Sequence, residues 1–168
     1  MGNYLVTQNL TVQDIGTFNG QLIGKGTVTN DSAAAGFIGE VLSASVVKSS
    51  AVSLATTVTS NVTSLSLTAG DWDVFSGIGF TGGGTTTILA YALATTSATL
   101  PGTDTIAVPT TNQIRGSLPL SVVTADVSDV LYCRVSLALS TTVYLVANAT
   151  FAVGSASAYG SIFARRSR

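Results

Sequence analysis

The sequence predicts an all-β fold, an antiparallel two-sheet sandwich of jelly-roll type with an extended N-terminal arm. Three observations carry this. Leu131, Cys133, Val135, Leu137 and Leu139 alternate with Tyr132, Arg134, Ser136, Ala138 and Ser140, which is the two-residue period of a strand with one buried face. Val- and Thr-rich runs are cut at short intervals by Gly and polar residues, a pattern that suits strands and turns. No stretch sustains the 3.6-residue period of an amphipathic helix.

Residues 1–30 differ from the rest. Leu5, Leu10, Val12, Ile15, Phe18, Leu22, Ile23 and Val28 are spaced irregularly among Gly, Asn, Gln and Thr, so the segment reads as an extended arm for attachment or intersubunit pairing. The domain proper then spans 31–168. At Asn30–Ala35 a capping residue precedes an alanine run, but Gly36 and Gly39 limit any helix to one turn. Strands are expected at 41–48, 51–59, 61–68 and 72–80. Gly82-Gly83-Gly84 should link the last of these to a strand at 85–94. Residues 95–117 lack alternation and carry two prolines, Pro101 and Pro109, so they read as a long surface connection with binding capacity. Strands follow at 118–124, 131–139, 143–153 and 157–165. Leu139–Thr142 is short enough to make 131–139 and 143–153 a hairpin. In the second of these runs Val143, Leu145, Ala147, Ala149, Phe151 and Val153 share one side.

Composition narrows the function. The 168 residues suit one domain with a single core. Charged residues are 9% of the chain, against roughly 25% in ordinary domains, while 46% are hydrophobic and the mean hydropathy is +0.50. So apolar a chain, with Ser and Thr as its main polar groups, implies surface covered by copies of itself or by a partner, and a homo-oligomer is expected. The net charge of −1 gives no electrostatic case for nucleic acid or an acidic membrane. No apolar run is long enough for a spanning helix, and the start has neither a signal-type core nor, with Val6, a myristoylation motif. A soluble protein without export or lipid anchor is expected.

Chemistry is sparsely represented. With no histidine there is no Ser-His or Cys-His pair and no histidine metal site, and the single Cys133 provides neither a disulfide nor a cysteine metal knuckle. Asp71 and Asp73 flank Trp72 on one strand face, where an acid/base pair or calcium ligands are conceivable. No third acid lies nearby, and the stronger reading has Gly70-Asp71 making a turn, Asp71 bonding local backbone amides and Trp72 anchoring the core. Gly20–Thr27 falls one residue short of a phosphate loop and has Gly26 after Lys25. Asp126 and Asp129 read as solvated or capping residues beside a turn. Arg165, Arg166 and Arg168 read as a solvated terminus or an intersubunit ion pair with an Asp, in preference to a phosphate site. The sequons at Asn9, Asn61 and Asn148 read as chance matches in a Thr-rich chain. No catalytic, cofactor-binding or metal-binding residues are therefore assigned.

Four blocks, Thr29–Glu40, Leu67–Val74, Thr142–Ala147 and Tyr159–Arg166, together resemble a module of tailed-bacteriophage virion surface proteins found in small structural proteins and at the ends of tail-fibre-like proteins. The resemblance spans 29–168 and implies a jelly-roll-like, commonly trimeric surface domain without enzymatic activity. Since the sequence carries no heptad or collagen-like repeat to form a shaft, a capsid decoration or cement protein on the head, bound to the major capsid protein, is the first expectation. A tail-fibre-associated module contacting a host receptor is the second. A sugar-degrading enzyme, which needs two carboxylates across a cleft, is the third and weakest.

Overall fold

A computed structural model describes Thr29 and residues 31–102, 114–119 and 127–168. The chain divides between Asp31 and Ser32, so the account below is of the unit that begins at Ser32. The arm and the Gly20–Thr27 loop lie outside the described residues, as do Asn9, Asp126 and most of 103–126.

The described residues of the unit form seven strands: β1 (Val41–Val46), β2 (Val52–Leu54), β3 (Ser60–Leu67), β4 (Gly70–Ala94), β5 (Ile114–Pro119), β6 (Val127–Leu137) and β7 (Thr141–Arg166). All their pairings are antiparallel and join them into one hydrogen-bonded sheet. The long strands β4 and β7 pair with each other from Trp72↔Arg166 to Ala94↔Tyr144 and form its spine. β6 extends the first half of β4, and β1 the second half of β7. At the other end of the spine β5 extends the second half of β4, and β3 the first half of β7.

The expected pair of separate sheets is thus a single sheet, and its spine doubles back. Phe80 and Tyr91 lie eleven residues apart in β4, about 36 Å in a straight strand, yet their ring centroids are 5.9 Å apart. The register slips between Gly84 and Thr86 and again between Thr86 and Ile88, opposite Gly154, whose φ is +107°. Bulges and glycines bend strands in this way without ending their pairing. This corrects the expectation for Gly82–Gly84, which lies inside a continuous β4 rather than in a hairpin link. The two folded halves enclose one core: Trp72, Val74, Ile78 and Phe80 from the first half of β4 meet Leu89, Tyr91 and Leu93 from its second half, with Leu131, Cys133 and Val135 of β6 and Val143, Leu145 and Ile162 of β7.

The hairpin expected of 131–139 and 143–153 does not form either. β6 pairs with β4 and the first half of β7 pairs with β3, so the 138–140 link crosses from one half of the fold to the other. Each strand has one strongly apolar face, and facing those two faces across a core buries more surface than laying the strands side by side. Leu139 and Val153, assigned to the buried faces, are exposed where the runs leave the core, and Leu137 and Phe151 are half-buried.

Smaller differences follow the same logic. Residues 51–59 contain only β2, after a single 3-10 turn at Lys48–Ser50, and the Asn30–Ala35 capping signal leads into turns at 35–39 without an α-helix. The stretch read as the 95–117 connection ends inside β5. Its first residues fold onto the sheet, where Leu100 packs on the cluster of Ala92, Ala94 and Val146. Asn61 holds this segment, donating to Ser97 Oγ at 2.8 Å and accepting from the Ala98 N–H at 2.7 Å. No helix among the described residues is long and apolar enough to cross a membrane.

Candidate functional site

The charged residues concentrate where β4 begins and β7 ends, and they form two linked groups. The first is centred on Arg166, which is buried. Strand alternation turns its side chain inward beside Trp72, its register partner. The guanidinium carbon lies 4.3 Å from the Trp72 ring centroid, a cation–π distance. Nε donates to Glu40 Oε2 at 2.9 Å, Nη1 donates to the Ala69 carbonyl at 2.9 Å, and Nη2 donates to Thr68 Oγ1. Trp72 Nε1 donates to the Thr68 carbonyl at 3.0 Å.

Glu40 is buried too, and it also accepts the Gly36 N–H at 2.8 Å. That backbone donor first, and Arg166 second, hold its carboxyl below the usual range against the opposing effect of burial. The turn that delivers Glu40 needs left-handed backbone at Gly36 and Gly39, with φ of +85° and +92°. Gly39 N–H then bonds the Arg166 carbonyl at 3.0 Å, and Arg166 N–H bonds the Glu40 carbonyl at 2.9 Å. Gly70 completes the enclosure: its φ is +137°, and a Cβ there would land on the Arg166 guanidinium.

The second group is centred on Asp71. Arg134 grips its carboxylate with two bonds, Nε to Oδ1 at 2.8 Å and Nη2 to Oδ2 at 2.5 Å, and Arg168 Nε donates to Oδ2 at 2.6 Å. Arg134 first, helped by Arg168, holds the carboxyl down at about 2 despite burial. Asp73 accepts the Tyr132 hydroxyl at 2.9 Å, which raises the phenol above its usual range. Asp71, Asp73, Arg134, Ser167 and Arg168 border a depression of about 340 Å³.

The expectations for these residues are partly revised. Trp72 is fully buried, as an anchor should be. Asp71 binds two arginines and not local backbone amides. Arg166 is buried and paired with Glu40 within the chain rather than solvated; Arg168 pairs with Asp71 within the chain while its side chain stays largely exposed, and Arg165 is exposed. Asp129 is no turn residue, because it sits in β6 and accepts the Tyr91 hydroxyl from the opposite half of the fold, together with the Val130 N–H at 2.7 Å. Asn61 and Asn148 use their amides internally, Asn148 donating to Thr59 Oγ1 at 3.2 Å.

Chemically, an Asp71 carboxylate saturated by two guanidinium groups stays ionised and exchanges no proton near neutral pH. Among the described residues no group of three metal-ligating side chains gathers. Glu40 and Arg134, the partners that give Arg166 and Asp71 their roles, carry only faint signals in the sequence: an acid after a Gly-x-x-Gly turn, and one cation in the otherwise neutral 131–139 alternation. No family model matches the chain, and no curated protein or solved structure matches it.

Proposed function

We propose that this chain is a non-enzymatic structural component of a tailed-bacteriophage virion, a capsid decoration or cement protein that joins as a homo-oligomer, a trimer in the first instance, to the major capsid protein and stabilises the head shell. We take the folded sheet to be a jelly-roll-like sandwich in that setting. One observation carries the reading. Three of the four blocks behind the phage resemblance, 29–40, 67–74 and 159–166, meet at Arg166 in a buried knot of Glu40, Thr68 and Trp72. Glu40, Trp72 and Arg166 of these blocks thereby have scaffold partners, which supports a structural reading. A chain with 9% charged residues also suits a surface largely covered by neighbours.

Counting copies per particle tests this. Quantitative mass spectrometry of purified virions should find hundreds of copies for a head coat, by the order of magnitude of shell subunits. A few copies at the tail would move the protein to the tail-associated, receptor-contacting reading. That second reading is favoured by one feature, the exposed rings of Phe75, Tyr132 and Phe163 on a single sheet face.

A further inference from the structure

Cross-strand register arranges the outward side chains of β1, β7, β4 and β6 in rows. Ser43, Phe163, Phe75 and Tyr132 make one row, and Ser45, Ser161, Gly77 and Val130 make the next. Tyr159, Gly79 and Ser128 follow. The first row is an aromatic ridge. Phe75 lies 4.7 Å from Tyr132 and 6.4 Å from Phe163 between ring centroids, and the three residues are 43%, 48% and 42% exposed. The second row has little bulk, and Gly77 leaves bare backbone in the middle of it. In the third row the Tyr159 ring lies over Gly79, occupying the space a Cβ would need. Next to the ridge, the second and third rows line a trough of about 530 Å³ in which Tyr159 is the one aromatic among the described lining residues. It crosses four strands, a length of about 14 Å at the usual strand spacing.

We propose that this trough binds an unbranched, uncharged polysaccharide. A pyranose ring has apolar C–H faces and a rim of hydroxyls. The C–H faces suit the electron-rich faces of exposed aromatic rings, and the hydroxyls suit the Ser45, Ser128 and Ser161 side chains at the trough, each able to donate and accept. Recognition sites commonly combine a concave surface and neighbouring aromatic side chains with a few polar groups. Charge decides the subclass: among the described residues no Lys or Arg lines the trough and Asp129 is its one carboxylate, so an anionic polymer finds no counter-cation among them. Shape argues against a second copy of the chain as the occupant. A stable interface covers about 800 Å² per partner around an apolar centre, whereas the ridge here is one residue wide and the row after it is Ser45, Ser161 and Gly77 with Val130 as its one apolar side chain. A linear chain lying across the strands matches that strip. The proposal holds for a head or a tail protein alike and does not rest on that assignment.

The test uses the full chain with maltohexaose, cellohexaose, chitohexaose and dextran as uncharged probes and polygalacturonate as the anionic control, read by saturation-transfer NMR and calorimetry. At least one uncharged probe should bind with a dissociation constant at or below the millimolar range, about 10⁻³ M, and the control should not. Gly77→Val, which fills the trough from an outward position, and Phe75→Ala, which breaks the ridge, should each weaken binding at least about tenfold. Both should stay folded, and Gly77→Val should keep the parent melting temperature because the nearest atom to a new Cβ is Ser161 Oγ at 3.9 Å. No binding of any uncharged probe at about 10 mM, equal binding of polygalacturonate, or binding untouched by Gly77→Val would each overturn the proposal. A change of oligomer mass in Phe75→Ala by light scattering, with no saccharide bound, would overturn it in favour of a contact between copies.

Discussion

Asp71 shows how a residue that looks like a site in the sequence becomes a structural fixture. The sequence places it in a turn with Gly70, whereas it lies in β4 opposite Ser136, and its partners come from β6 and from beyond the end of β7, 63 and 97 residues away, where no local pattern points to them. The pairing has a consequence for acid stability. The Asp71 carboxyl is held at about 2 in the fold against an ordinary 3.8, so the stabilisation is complete above the ordinary value and is lost as pH falls from about 4 to about 2. Glu40, also held down, adds in the same direction. Urea midpoints of the parent should therefore drop across that window, and Asp71→Asn should flatten the drop while lowering stability near neutrality. Arg134 and Arg168 are 40% and 71% exposed, so solvent screens these pairs and the difference should shrink in about 1 M salt. Equal acid limbs for parent and variant would show that the arginines do not stabilise the ionised carboxylate.

At the scale of elements, strand content was readable from two-residue periodicity, while strand partnership was not. The 131–135 and 143–149 faces are buried as alternation requires, yet the strands face each other across the core. Periodicity reports which side of a strand is apolar; it carries no information on whether the apolar sides meet side by side or face to face. Glycine was ambiguous for a related reason, because the same residue marks a turn, a bend within a strand, or a close approach of two backbones. Gly160 is of the last kind. A Cβ there would collide with the Gly77 carbonyl oxygen and lie 2.9 Å from Leu145 Cδ2 and 3.1 Å from Ile78 Cα, whereas at Gly77 it would meet nothing nearer than 3.9 Å. Gly160→Ala should then cost about 1–3 kcal/mol through forced movement of packed backbone, and Gly77→Ala should stay within about 0.5 kcal/mol of the parent. Chemical denaturation of the two variants side by side measures the contrast. Equal stabilities would mean that β4 and β7 can separate at Gly160 without disturbing the core behind them.

For the whole molecule the question is whether one continuous sheet behaves as one cooperative unit, with the charged knot joined to the core through Trp72, which lies under Arg166 and belongs to the core cluster. Cys133 offers a direct reading. It is buried in the core cluster, opposite Val74, and burial pushes its thiol up to about 12. At pH 8 the native thiol is protonated and shielded, so a disulfide reagent such as DTNB should react only when the core opens. Under conditions where reclosing outruns reaction, the labelling rate follows the population of the open form. Arg166→Met leaves Glu40 buried without its cation, a change that typically costs about 3–5 kcal/mol. If β4 and β7 transmit that loss along their whole length, Cys133 labelling should accelerate by about two to four orders of magnitude, at about 1.4 kcal/mol per tenfold. Adding Glu40→Leu, which removes the stranded carboxylate, should recover much of the protection. A variant that loses stability at Arg166 yet labels Cys133 at the parent rate would mean that the end of the sheet frays by itself. The knot would then be a local clasp on the 36–40 turn, and the spine would no longer explain why blocks so far apart in the sequence occur together.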